Sequence, residues 1–319
     1  MPPGSDSASW DLHAEAPAKL NLGLAVVGKR SDGFHDLLTV FQAVDLMDHL
    51  SFRRAPGSGI SLEIAGPEAV PAGEDNLVWR AADLLRREVP GLPGLAIRLR
   101  KYIPAGTGLG GGSSDAAATL LALNQLWNLQ LPPARLADMA LQLGSDVPFF
   151  LLGGTAVGEG RGERLRPLPA PPGAVYRIFI PDIRLSTKQV FSAISEELTV
   201  CIEKVNLLVK SIESGDAPAF FENLVNDLLT GVVRIQPRLA QSLREPPFHG
   251  ALALGLTGSG SAFFGLFQSE GDADAFVERK FLSRKDLHTY LDAANTSWRV
   301  VACSPVSFGA RVVPEAAAN

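Results

Sequence analysis

The chain has 319 residues, of which 46% are hydrophobic and 20% charged, with a formal net charge of −5. That composition excludes wholesale disorder, collagen and coiled coil. The acidic balance argues against broad nucleic-acid binding, which needs a basic surface to displace phosphate counterions, and the length corresponds to roughly two domains.

Residues 1–12 are small and polar and are expected to fray. They have neither the basic start nor the apolar core of a signal peptide. Over residues 16–27, Ala18, Leu20, Leu22 and Leu24 alternate with Lys19, Asn21 and Gly23, the period of a strand. GKRSDG (28–33) reads as a turn, and 37–44 resumes an apolar, strand-like run. Residues 60–64 alternate again, and 75–89 read as a helix with Leu77, Ala81, Leu84 and Leu85 on one face. Alternation over 95–103 leads into PAGTGLGGGSSDAAATLLALNQLW, a loop and then a strong helix-forming stretch. A short helix runs from Pro132 and Pro133 to about Gly144, and Val147 to Leu152 reads as an apolar strand.

The segment RPLPAPPGA (166–174) reads as the crossing between an N-terminal domain, 1–165, and a C-terminal domain, 166–319, with the last strand free to return to the first. Beyond it come a strand at 175–180, helices at 190–197, 201–212 and 217–229, and a strand, glycine turn and strand over 252–267. Residues 283–298 read as helix and loop. Strands and helices mix without the rhythm of a doubly wound sheet, so an α+β architecture is expected. Cys201 and Cys303 are far apart and carry no metal spacing, which fits a reducing compartment. No apolar stretch approaches a bilayer span. A cytoplasmic monomer or homodimer, without membrane or nucleic-acid partners, is expected.

The most informative segment is Pro104, Ala105, Gly106, Thr107, Gly108, Leu109, Gly110, Gly111, Gly112, Ser113 and Ser114. Five glycines in the seven residues 106–112 disfavour both helix and strand and permit positive φ and close backbone approach. Backbone N–H groups can then converge on an anion, helped by the positive end of the following helix. Ser113 and Ser114 are expected to cap that helix and to offer hydroxyls to phosphate or Mg²⁺. A nucleotide phosphate is the natural ligand. Gly106, Gly108 and Gly111 also match the dinucleotide fingerprint, but no acidic residue stands between Ala116 and Ala137 to hold a ribose. No lysine follows the glycines, as a P-loop requires. A flexible turn before a helix is the remaining reading.

PAGTGLGGGSSDAAA resembles the phosphate-binding loop of the GHMP kinases, the family of galactokinase, homoserine kinase and mevalonate kinase. APAKLNLGL, DGFH, LGSDVPFFL, STKQVF and LTGSGSAFFGLF are similar to family segments in the family's order, over residues 16–268. The resemblance implies a two-domain fold with its active site in the interdomain cleft, ATP as phosphoryl donor over residues 104–114, and Mg²⁺ with no identifiable ligands. It also implies a small-molecule alcohol acceptor. For the GGGSSDAAA form of the loop, that acceptor is a cytidine diphosphate-linked methylerythritol. Homoserine, mevalonate, a sugar, or a nucleotide-binding regulator without turnover are the alternatives.

Lys19 and Asn21, two apart in a strand, point to one face, where a lysine is also at home simply solvated. Asp146 is a lone carboxylate between a helix end and an apolar run, a place that equally suits a turn or cap. The resemblance implies that Asp146 is the base for the acceptor hydroxyl. Lys19 would be its neighbour and a stabiliser of γ-phosphoryl charge, and Asn21 an orienting group. It further implies that Phe34 and His35 recognise cytosine, with Phe34 standing where the family usually has Tyr. Phe191 would stack on the other side of the base, and Thr187 would face the diphosphate, with Lys188 adding charge. Asn76 and Lys101 would line the ATP pocket. Without the resemblance, Phe34 is a turn aromatic, Phe191 a helix core residue, Asn76 a helix N-cap and Lys101 a solvated strand residue. The turn Gly258-Ser-Gly-Ser261 resembles a third phosphate-loop motif or is a plain hairpin turn.

Overall fold

The computed structural model describes residues 9–194, 201–239, 251–281, 283–284, 289–292 and 296–314. Residues 1–8 of the expected tail, 195–197 of the expected helix at 190–197 and parts of the 283–298 segment lie outside the described residues. The chain forms two sheets of mostly antiparallel strands with helices packed against them, a two-domain α+β fold.

The alternation at the start produces β1 (Leu12–Lys29), which pairs along its length with β2 (His35–Ala55). Register shifts fall at Pro17/Ala18, Asn21/Gly23 and Val26/Gly28. Bulges of this kind bend a strand and re-aim its side chains, and two of them bracket Lys19 and Asn21. β3 (Ile60–Ala65) crosses by α1 (Leu77–Glu88) to a parallel neighbour, β4 (Gly94–Arg100), which pairs with β2. β5 (Thr155–Gly160) and β6 (Arg164–Leu168) extend the sheet from β2.

Behind this sheet lie α1, α2 (Gly111–Leu126), α3 (Pro133–Leu143) and α4 (Val147–Leu152). α2 is buried on nearly every side, as a helix of alanine and leucine must be when it runs through a core. Phe41, Phe52, Ile97, Leu120, Phe149 and Phe150 fill the space between.

The second sheet begins after the proline-rich stretch. β7 (Val175–Pro181) lies between β13 (Ser297–Cys303) and β10 (Phe263–Phe267). β9 (Ala251–Leu256), β12 (Thr289–Leu291) and β11 (Ser283–Arg284) lie outside them, all antiparallel. The helices of this half are α5 (Thr187–Ser192), α6 (Cys201–Ser214), α7 (Ala217–Glu222), α8 (Leu228–Ile235) and α9 (Glu270–Lys280).

The chain returns to the first sheet twice. β8 (Val225–Asn226) pairs with β1 in parallel, and β14 (Arg311–Val313) pairs with β1 antiparallel. β1 is therefore shared. Its Ala16 belongs to the core under α2, Leu20 and Leu22 to a core with Tyr176, Phe264 and α6, and Leu24 to one with Phe179 and α8.

Four local expectations are corrected. Val147–Leu152 is a helix, not a strand: Pro148 suits the first helical turn and Gly153, at φ 75°, stops it. A six-residue apolar run carries no period that separates the two. The glycine run does not stay loop throughout, because α2 starts at Gly111 and takes in Ser113 and Ser114. The stretch 217–229 is interrupted at β8, where Asn226 donates to the Leu256 and Gly258 carbonyls at 2.8 and 2.9 Å and its own oxygen caps α8 through the Leu228 N–H at 2.9 Å. The described parts of 283–298 are short strands at the edge of the second sheet, not a helix. Among the described residues no helix is long and apolar enough to cross a membrane, and Cys201 and Cys303 are free thiols.

Candidate active site

A cleft of about 1030 Å³ opens between the two halves, lined by Lys19, the glycine loop, Asp146, the turn at Phe34, α5 and the Gly258–Gly260 turn. Its floor is β1. Lys19 and Asn21 are both almost fully buried there. Lys19 Nζ donates to Asn21 Oδ1 and lies 3.6 Å from Asp146 Oδ2. Asn21 Nδ2 donates to Thr39 Oγ1 at 2.8 Å, and Asn21 Oδ1 also accepts the Gly258 N–H at 2.9 Å. Asn21 thus orients the lysine and ties it to the far side of the cleft. Burial pushes the Lys19 pKa down from 10.5, with the Asp146 carboxylate partly opposing it.

Asp146 stands just before α4 yet makes no capping bond, and its side chain is 35% exposed. A carboxylate left uncommitted beside a buried ammonium, at a cleft wall, is placed to accept a proton from an entering hydroxyl.

The glycine loop passes directly over Lys19, whose backbone N–H donates to Leu109 O at 2.9 Å. Gly108 has φ +82°, and a Cβ there would come within 2.1 Å of Thr257 O; the turn is pressed onto the Thr257–Gly260 segment with no room for a side chain. Gly110, left-handed at φ 75°, is the residue before α2 and provides no side-chain cap. Ser113 and Ser114, expected as caps, sit inside the first turn instead. The leading N–H groups of α2 are therefore free for an anion, and Gly112 is exposed beside them. Thr107 is turned inward, its hydroxyl donating to Pro104 O at 2.8 Å.

At the other end of the cleft are Phe34 and His35. Phe34 is 51% exposed, with the Arg161 guanidinium 4.5 Å above its ring. His35 stacks on Phe191 with centroids 4.9 Å apart and planes inclined by 27°. The open aromatic sandwich expected between Phe34 and Phe191 is thus replaced by two pairs, each aromatic already covered on one face. Burial, and secondarily Lys29, lower the His35 pKa from 6.5. The imidazole is neutral at neutral pH and presents one donor and one acceptor. Thr187 opens α5 and shares a 2.8 Å hydrogen bond with Ser259, while Lys188 lines the cleft beside it.

Asn76 and Lys101 do not line this cleft. Asn76 is the N-cap of α1: its oxygen accepts from Val78 N at 2.9 Å and its amide donates to Pro71 O at 2.7 Å. Lys101 is buried, not solvated. Nζ pairs with Asp48 and, at 2.6 Å, with Asp115 in α2. Asp48 also accepts the backbone N–H groups of Tyr102 and Ile103, at 2.6 and 2.9 Å. The cluster clamps the chain entering the glycine loop to the first turns of α2. Burial alone would lower the Lys101 pKa, but Asp115 and Asp48 outweigh it and raise it. Burial, reinforced by Asp48, drives the Asp115 pKa well above its usual value against the pull of Lys101. Sequence reading missed Asp48 and Asp115; the one available signal was a lone carboxylate opening an otherwise apolar helix.

A glycine loop running into a helix start, beside a lysine–carboxylate pair at the base of a cleft, has the parts that phosphoryl transfer requires. Residues 76–154 match the family model described as GHMP kinases N terminal domain, and residues 208–279 the one described as GHMP kinases C terminal. The chain is 44% identical over 256 residues to the 4-diphosphocytidyl-2-C-methyl-D-erythritol kinase of Pelotomaculum thermopropionicum, covering 80% of this chain and 88% of that one. It is 38% identical over 323 residues to the protein of the same name from Mycolicibacterium gilvum, covering 98% and 97%. A crystal structure titled as 4-(cytidine 5'-diphospho)-2C-methyl-D-erythritol kinase superposes with a TM-score of 0.70 at 34% identity, over 92% of this chain and 99% of that one. The chain belongs to the GHMP kinases, and membership implies ATP as the phosphoryl donor.

Proposed function

We propose that this kinase transfers the γ-phosphoryl group of ATP to the 2-hydroxyl of 4-diphosphocytidyl-2-C-methyl-D-erythritol, a step of the non-mevalonate route to isoprenoid precursors. The observation that carries the reading is the cleft itself. One end offers the glycine loop that leads into α2 and the Lys19–Asp146 pair, the other an imidazole and aromatic rings suited to a base edge and face. The relatives' shared name supplies the acceptor.

In this reading Asp146 accepts the hydroxyl proton as the oxygen attacks the γ-phosphorus, and ADP leaves. Lys19 holds Asp146 in place and stabilises charge developing on the transferring group. The glycine loop and α2 hold the phosphates by backbone N–H groups. His35 reads the cytosine edge, Phe34 and Phe191 supply its apolar walls, and Thr187 and Lys188 face the diphosphate.

Among the described residues no group of three or more His, Cys, Asp or Glu forms a metal cage. Mg²⁺ favours phosphate oxygens, water and one or two carboxylates. Its ligands would be triphosphate oxygens and water, Asp146 on the cleft wall being committed to the acceptor hydroxyl. Bound there, the ion would neutralise triphosphate charge.

ADP release measured with Mg-ATP against this acceptor, homoserine, mevalonate and a hexose tests the reading. Turnover confined to the cytidine compound supports it; turnover on another alcohol assigns a different acceptor, and none with any leaves a nucleotide-binding protein without turnover.

A further inference from the structure

The glycine loop faces a charge problem. A triphosphate brings about four negative charges, and phosphoryl transfer relies on cations around it. No lysine follows the glycines in sequence. The two lysines nearest the loop are already engaged. Lys19 is held by Asn21 and Asp146, and Lys101 is buried between Asp48 and Asp115.

Arg184 is differently placed. It lies in the connection between β7 and α5, and its Cδ is 3.8 Å from the position a Cβ would take on Gly106, so its stem lies against the outer turn of the glycine loop. The backbone on both sides is fixed. Asp182 N donates to Ser297 O at 2.9 Å, Ser261 Oγ donates to Ile183 O, and Leu185 packs on Gly260. The side chain itself is 53% exposed and its pairing is loose: Nη2 lies 3.6 Å from Glu68 Oε2. Glu68 already has a better partner in Arg299, at 2.9 Å. A guanidinium on a rigid base, with an easily surrendered partner and planar donors that match phosphate oxygens, is prepared for an anion laid along the loop.

We infer that Arg184 is a nucleotide-binding residue: it rests on Glu68 in the free protein and turns to the phosphates of ATP when they occupy the glycine loop, while Arg299 keeps Glu68 paired. The inference rests on the kinase reading above and adds a cation contributed to the nucleotide from the second half of the molecule.

The test is calorimetric titration of Mg-ATP into wild type, Arg184→Gln, Arg184→Lys and Glu68→Gln, with adenosine as a phosphate-free probe competing for the same site. Arg184 is exposed, and thermal melts confirm that each variant folds. The expected result is an approximately tenfold loss of ATP affinity in Arg184→Gln, the size of one charge-assisted contact. Arg184→Lys should lose less, adenosine binding should be unchanged, and Glu68→Gln should bind ATP as tightly as wild type or more tightly. If the pair were only a latch between the two halves, Arg184→Gln and Glu68→Gln would weaken ATP equally, and that result overturns the inference. A loss extending to adenosine overturns it as well. Wild type that binds no ATP at all refutes the kinase reading itself, a failure distinguishable from the other two.

Discussion

Lys101→Met isolates the buried cluster beneath the glycine loop. The substitution keeps the length and apolar stem of the side chain and removes the ammonium between Asp48 and Asp115. Asp48 retains the Tyr102 and Ile103 N–H groups. Asp115 is left beside the Asp48 carboxyl with no cation between them: its Oδ2 loses Lys101, and its Oδ1 is already buried without a partner. Removing one member of a buried ion pair costs about 3–5 kcal/mol, because the survivor is left as an uncompensated charge. The folded-state pKa of Lys101 is raised, so its contribution is fully present below the unfolded lysine pKa and is lost only as pH climbs through the raised value. The folded-state pKa of Asp115 is also raised, so the folded state binds the extra proton. That group's linkage lowers stability as pH rises from the unfolded value of 3.8 to the raised one. The penalty of Lys101→Met should therefore be largest near pH 7 and smaller near pH 5. The double variant Lys101→Met/Asp115→Leu removes the stranded carboxylate and should recover at least half the loss. Urea unfolding followed by circular dichroism at both pH values measures these differences. A single variant as stable as wild type, or a double variant no better than the single, would refute the charge argument.

Other expectations follow from the same geometry. Asp146→Asn should lower kcat by roughly 10²–10⁴-fold, the usual worth of a positioned proton acceptor, with ATP affinity retained in equilibrium titration. The lowered pKa of Lys19 means that the ammonium is lost, as pH rises, at a value below the ordinary 10.5, so the alkaline limb of kcat/KM should begin early; Lys19→Arg, always charged, should push that limb upward even at reduced activity. Phe191→Ala removes the ring stacked on His35 and should raise KM for the acceptor several-fold without changing KM for ATP, read from initial rates with each substrate varied. Gly108→Ala places a methyl 2.1 Å from Thr257 O at positive φ. It should cost about 2–5 kcal/mol of stability, the sum of left-handed strain and overpacking, measured by the same urea series.

What could be read from the sequence was local. The glycine run announces an anion site because its chemistry is complete within a dozen residues. The alternation around Lys19 announces a strand for the same reason. Val147–Leu152 was misread because a short, uniformly apolar segment lacks any period, and only Pro148 and Gly153 hint at a helical turn. Ser113 and Ser114 looked like caps because the boundary of α2 depends on Gly110 taking a left-handed conformation, which composition does not show. Lys101 was expected to face a nucleotide or solvent. Its true partners lie 53 and 14 residues away, and contacts that distant are set by the packing of β2 against α2. Arg184 and Arg161 escaped notice for a similar reason, since each acquires meaning from a surface brought to it by a different element.

The most direct measurement is phosphorus NMR of the product formed from Mg-ATP and 4-diphosphocytidyl-2-C-methyl-D-erythritol, with wild type beside Asp146→Asn. The account predicts a new phosphomonoester resonance without proton coupling, as a phosphate on the hydrogen-free 2-carbon must give, growing with ADP in wild type, and its near absence in the variant. No such resonance from wild type that binds ATP, or equal rates from the two proteins, would contradict it.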